Sequence, residues 1–312
     1  MNTRTQTSKK PVVWAIDPFE GKNAERAPLA KFLTNWTKGK SPSILPFSVI
    51  SPGGLRWPVP VSYDFGRDLK AYGIKSVKKN LGQLKMTQTA TPEVEVRDNS
   101  SRRELVNDVL KFAKKRKAGF IAVNTKTTAS KSPFKLGGFA EAIIEQSELP
   151  ILAVGPNAEV SGGIKEILFP TDLTERSHKA FVKVLGTAKD FGASVHLLFV
   201  ARNPAIPYAG MDFGAAATWV MESEALQREE NRKVAEKWCR EAKTMGVSCD
   251  YRMVKTFEST ARAITKFAKS KHYDLIALAS YRTTKTPALL GGTIRSVLAS
   301  AETPVMEIRA AK

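Results

Sequence analysis

The chain has 312 residues, 42% hydrophobic and 25% charged, and its 49 Lys and Arg against 30 Asp and Glu give a net charge of +19. At roughly 150 residues per domain this predicts two domains, and the balance of apolar and charged residues excludes collagen-like and disordered chains. Two cysteines exclude a disulfide scaffold or a Cys-rich zinc site, residues 1–10 show no secretory signal, and no apolar run reaches the roughly 18 residues of a membrane helix, so a soluble, cytoplasmic, basic protein is expected.

In the first half, strands are predicted at 11–16, 44–50, 93–97, 119–123 and 151–154 from short apolar runs. After the second of these, Pro52, Gly53, Gly54, Pro58 and Pro60 rule out regular structure. The basic run Lys111, Lys114, Lys115, Arg116 and Lys117 reads as a polyanion patch or as a solvated helix end, since cations suit a helix C-terminus. The second reading is favoured for that cluster alone. Residues 1–157 hold 26 basic and 13 acidic residues, which keeps weak polyanion binding open.

In the second half, strands are predicted at 166–171, 194–200, 247–254, 275–279 and 305–308. Helices are predicted at 174–191, 218–245, around 261–268 and at 293–300. Ala180, Val184, Ala188 and Phe191 recur at helical spacing. The segment 202–214, again rich in Pro and Gly, follows the second strand just as 51–63 does. Both segments read equally as lids at the ligand-binding end of the sheet or as plain connections. Alternating strands and helices predict a parallel sheet covered on both faces, because crossover connections are right-handed and lie over the sheet.

The chain repeats itself. Lys111-Phe112-Ala113-Lys114 recurs as Lys266-Phe267-Ala268-Lys269, and Phe120-Ile121-Ala122-Val123 as Leu275-Ile276-Ala277-Leu278, both 155 residues on. Leu136-Gly137-Gly138 matches Leu290-Gly291-Gly292, and Pro150 to Val154 matches Pro304 to Ile308, both at 154. Anchors kept in order with one single-residue slip indicate tandem duplication. The expected domains are 1–157 and 164–312, with Ser161-Gly162-Gly163 in the linker.

The second half resembles a universal stress protein (UspA-like) domain. The resemblance rests on Ile167-Leu168-Phe169-Pro170-Thr171-Asp172-Leu173-Thr174-Glu175-Arg176-Ser177, on Val195 to Val200, and on Leu289-Leu290-Gly291-Gly292-Thr293 with Val297-Leu298 and Thr303-Pro304-Val305. The first half is recognisable through its repeat of the second, in degenerate form. The resemblance implies two doubly wound α/β domains of the adenine nucleotide alpha hydrolase-like type, each with a five-stranded parallel sheet. It also implies that the halves pair as an intramolecular pseudo-dimer through their last strands. A homodimer of the whole chain stays open, and no membrane partner is expected.

The same resemblance implies a ligand site, since the family contains ATP binders and non-binders. Binders carry glycines whose bare amides approach the phosphates at a helix start, and an acid ending the first strand that holds the adenosine portion. Asp172 and Asp17 stand where that acid stands. Gly291, Gly292 and Thr293 keep the last glycine turn, but the earlier glycine pair is absent from both halves. The loops after the fourth strands instead offer Ser280 and Arg282, or Lys126 with the turn at Gly137 and Gly138. Such side chains hold phosphate by charge-assisted hydrogen bonds. Alternatively, Asp172 caps the turn after its strand, and the loops are plain polar surface.

No nucleophile–base set, phosphate loop with Gly-Lys-Ser/Thr or metal-spaced histidine pair is present among His178, His196 and His272. His196 reads as a sheet residue, and Cys239 and Cys249 as reduced thiols. The leading expectation is a non-enzymatic tandem stress protein acting by ligand or partner binding, with no metal and no certain cofactor. An ATP- or phosphate-ligand sensor using the second half is the alternative, and a basic nucleic-acid-associated accessory protein ranks third.

Overall fold

A computed structural model describes residues 10–19, 22–37, 44–51, 65–98, 100–125, 138–202, 213–281 and 291–310. The first half runs β1 (Val12–Ala15), α1 (Asn23–Thr37), β2 (Ile44–Ile50), α2 (Phe65–Gln83), β3 (Glu93–Val96), α3 (Arg102–Lys115), β4 (Phe120–Asn124), α4 (Gly138–Gln146) and β5 (Ile151–Val154). The second half repeats the series with β6 (Glu166–Pro170), α5 (Glu175–Phe191), β7 (Ser194–Arg202), α6 (Phe213–Thr244), β8 (Cys249–Thr256), α7 (Thr260–Ser270), β9 (Leu275–Ser280), α8 (Gly292–Ser300) and β10 (Val305–Arg309).

The strands form one sheet in the order β3-β2-β1-β4-β5-β10-β9-β6-β7-β8. Each half has the same internal order, so the sequence repeat is also a repeat of topology. All pairs within a half are parallel, while β5 and β10 meet antiparallel, Met306 opposite Leu152. Pairing these two strands removes an exposed edge from each half.

Helices cover both faces because the central strands are apolar on both sides. One core cluster joins Trp14, Leu33, Val77, Phe169, Phe181 and Trp238, and the other joins Val13, Phe112, Ile144, Leu168, Ile264 and Leu298. Each cluster runs through both halves. On one face Trp36 of α1 meets Phe191 of α5 at 4.3 Å between ring centroids. On the other, Arg295 of α8 pairs with Glu141 of α4 at 2.7 Å. The connection between the halves is held by the Asp274 carboxylate, which accepts from the Ser161 hydroxyl and from the backbone N–H groups of Lys165 and Glu166.

Helix starts follow local chemistry. Ser101 and Glu104 form a reciprocal capping box on α3, while Thr174 and Ser259 cap α5 and α7. Gly192, at φ 65°, ends α5 in the left-handed conformation that glycine adopts without steric cost. Helix α6 begins five residues before its predicted start, taking in Ala215, Ala216 and Ala217, which favour helix. The proline- and glycine-rich stretches 52–64 and 203–212 lie outside the described residues.

One expectation is overturned. Cys239 and Cys249, read as reduced thiols, form a disulfide. The end of α6 packs on β8 and brings their Cα atoms to 5.0 Å, within the range a disulfide spans. Closing so short a loop constrains the unfolded chain by about 2–3 kcal/mol. Reduction with dithiothreitol, or Cys239→Ser, should therefore lower the thermal midpoint by several degrees, measurable by circular dichroism.

Candidate functional site

The sheet order of the second half reverses between β6 and β9, and such switch points open a crevice beyond the carboxyl ends of the strands. A cleft of about 370 Å³ lies there. Its floor is the ends of β6, β7 and β9, and its rim carries Asp172, Ser177, Thr260, Tyr281, Gly291, Gly292 and Thr293.

Asp172 sits in the turn from β6 to α5. Its Oδ1 accepts hydrogen bonds from the Thr174 N–H at 3.1 Å, the Thr174 hydroxyl at 2.8 Å and the Ser177 hydroxyl. Partial burial pushes this carboxyl up, but the bonds from Ser177 and Thr174 outweigh it and hold it below the usual carboxylate range. Asp172 is thus ionised at neutral pH and acts as an acceptor, not a proton donor. The turn also places Leu173 at φ 57°, a left-handed conformation that a leucine adopts only under constraint. Because the Ser177 hydroxyl donates to Asp172, its oxygen is left to accept from the Tyr281 hydroxyl, and the two side chains are hydrogen bonded. Burial first, and the Asp172 charge second, raise the Tyr281 pKa, so its phenol stays protonated.

Across the cleft, α8 starts at Gly291 with no side-chain cap. Helices α3, α5 and α7 each use a Ser or Thr there. The first amides of α8 therefore face the cleft with the positive end of the helix and no side-chain oxygen upon them. Among the described residues nothing lies within 4 Å of a Cβ built on Gly291 or Gly292.

The structure thus brings together Asp172, Gly291, Gly292 and Thr293. Ser280 is not among the residues lining the cleft; its hydroxyl donates to the buried Glu307 of the neighbouring strand β10, while Tyr281, which follows the end of β9, lines the cleft. Arg282, Lys126 and Gly137 lie outside the described residues. Sequence reasoning missed Tyr281, Ser177 and Thr260. Tyr281 offered only its place directly after β9, and the other two only a position near a helix start.

In the first half, Asp17 Oδ1 accepts from the Phe19 N–H at 2.8 Å, and its carbonyl accepts from Arg26. A Cβ on Gly138 would lie 2.8 Å from Arg102 Nη1. A guanidinium therefore fills the space that the second half leaves open beside its helix start. Among the histidines, His178 pairs with Glu241 at 2.6 Å, and His196 bridges Glu166 and Asp250 across β6, β7 and β8. Among the described residues no group of three or more His, Cys, Asp or Glu could hold a metal ion, and no helix is long and apolar enough to cross a membrane.

Comparison with known proteins agrees with this frame. A family model described as the universal stress protein family matches residues 163–309. A universal stress protein of Methanocaldococcus jannaschii is 30% identical over 149 residues, covering 47% of this chain and 84% of that protein. Among solved structures, a universal stress protein from Archaeoglobus fulgidus superposes with a TM-score of 0.62 at 18% identity, covering 96% of this chain and 97% of its own. A universal stress protein candidate from Pseudomonas aeruginosa reaches 0.60 at 13% identity, covering 97% and 94%. At these identities the structural likeness speaks for the fold.

Proposed function

The chain belongs to the universal stress protein family, and on that premise we propose that it is a non-enzymatic, cytoplasmic stress-response protein whose second half holds a phosphate-bearing ligand. Family membership supports the stress-response role. The reading takes 1–157 as a degenerate domain and 164–312 as the binding domain, paired as a pseudo-dimer within the chain.

The observation that carries the ligand reading is the cleft in which an ionised Asp172 faces the uncapped start of α8. The helix start suits a phosphate, whose charge complements the free amides. The carboxylate suits hydroxyl donors such as those of a ribose. ATP meets both requirements at once. An acceptor carboxylate and a protonated phenol bind and orient a ligand without a nucleophile being needed. The first half, with Arg102 against Gly138, is the poorer site for the same ligand.

Titration calorimetry with ATP, AMP and inorganic phosphate tests this. Asp172→Ala should weaken ATP and AMP by about tenfold or more, as the roughly 1.5–3 kcal/mol of a hydrogen bond to a charged group requires, and leave phosphate unchanged. Equal losses for all three ligands would remove Asp172 from the adenosine side. No heat at millimolar ligand would leave partner binding as the mode of action.

A further inference from the structure

The positive charge of the first half is concentrated at one place in the fold. Helices α2 and α3 both end at the amino-terminal end of the sheet, on opposite faces, astride the edge strand β3. Lys78 and Lys79 lie one turn before the end of α2, with Lys85 just beyond it, and the last turn of α3 carries Lys114 and Lys115, with Lys117 just beyond it. All six are exposed, and among the described residues none has an ion-pair partner. The acids nearby are already engaged: Glu93 with Arg116, and Asp108 with Arg97 and Lys111.

The second half shows that the fold does not require this charge. Helix α7, the counterpart of α3, keeps Lys111 as Lys266 and Lys114 as Lys269 and neutralises both, while Ser270 and His272 stand where Lys115 and Lys117 do. Lys266 pairs with Glu258 at 3.6 Å and Lys269 with Glu302 at 2.6 Å. In α6, the counterpart of α2, Arg232 is paired with both Glu229 and Glu236, whereas Asp68 is the only acid in α2. Complementing a helix dipole needs one or two cations in the last turn. It does not account for six unpaired ones gathered from two helices around a single edge. The solvated-helix-end reading favoured from the sequence therefore explains too little.

We propose that this basic rim binds the phosphate backbone of a nucleic acid, at a site separate from the cleft, which lies in the other half, across β2, β1, β4, β5 and β10 from the edge strand β3. Lysines act as point charges that suit a run of phosphates without reading bases. A membrane surface would also attract them, but interfacial binding adds apolar anchors. The large exposed hydrophobic residues among those described are Tyr72, Val182, Leu226, Phe257 and Tyr281, and none lies at these helix ends.

Fluorescence anisotropy with a labelled oligouridylate and with duplex DNA, between about 50 and 200 mM salt, tests the proposal. Binding should weaken linearly in log–log form, with a slope near −4 for single strands if about six phosphates are neutralised. Replacing Lys114, Lys115 and Lys117 by alanine together should reduce that slope by about 2 and the low-salt affinity by about tenfold or more. The same change at Lys78, Lys79 and Lys85, on the other face, should act alike and serves as an independent variant. Alanines at Lys266 and Lys269, whose charges are already paired, should leave the slope as in the wild type. The proposal is overturned if neither nucleic acid binds at the lowest salt, or if the α7 variant loses as much as the α3 variant. Sedimentation with phosphatidylserine vesicles in the absence of oligonucleotide binding would overturn it in favour of a lipid surface.

Discussion

Trp36→Ala is expected to destabilise the protein by about 3–5 kcal/mol, the cost of emptying a large aromatic site in a packed core. Trp36 closes the last turn of α1, where it stacks on Phe32, meets Phe120 edge-on and reaches across to Phe191 of the second half. The cavity would open where the halves join. Denaturant unfolding followed by tryptophan-independent circular dichroism measures the loss. The same contact bears on assembly. A chain cleaved near Ser161-Gly162-Gly163 should elute as one particle at micromolar concentration, because β5 and β10 stay hydrogen bonded. The cleaved Trp36→Ala chain should separate more readily. Clean separation of the cleaved wild type into two stable monomers would show that the seam is weaker than the structure implies.

Arg309→Met is expected to cost about 3 kcal/mol or more, because removing one member of a buried ion pair leaves a charge without compensation. Glu307 is fully buried on β10, and the Arg309 guanidinium lies 3.9 Å from its carboxylate. Arg309 Nη2 also donates to the carbonyls of Ile144 and Glu145, at 2.9 and 2.8 Å, closing the end of α4. One side chain therefore serves the buried acid of the second half and a helix terminus of the first. Combining Arg309→Met with Glu307→Leu should recover much of the loss, since an apolar pair of similar volume needs no charge compensation. A double variant no more stable than the single one would show that the helix-end hydrogen bonds carry the effect.

How much of this was legible from the residues can be judged element by element. The ten strands were found where they were predicted, most within a residue; the central ones are continuous apolar runs because they are buried on both faces. The exception in position is β8, found two residues later than expected. It is an edge strand whose residues are only partly buried, so its apolar signal is weak. Helix α1 carries Pro28 inside it, which the local rules read as a break and tertiary packing overrides. In the site, Asp172 and the Gly291-Gly292-Thr293 turn could be read directly, because a strand-end acid and bare glycine amides are local features of the chain. Ser280 was named for the site from its place after the fourth strand, whereas its bond to Glu307, 27 residues on, and the presence of Tyr281 in the cleft lining depend on tertiary packing.

The sequence by itself determined the duplication, the parallel α/β architecture and the excess of positive charge, since repeats, apolar periodicity and composition are properties of neighbours along the chain. Only the tertiary structure decided the rest. It joined β5 to β10 into one sheet and placed Cys239 against Cys249. It set Arg102 over Gly138 but left Gly291 and Gly292 open. It neutralised Lys266 and Lys269 of α7 with Glu258 and Glu302 while leaving Lys114 and Lys115 of α3 unpaired among the described residues. Each of these depends on how the helices pack on the sheet, which neighbours along the chain do not set.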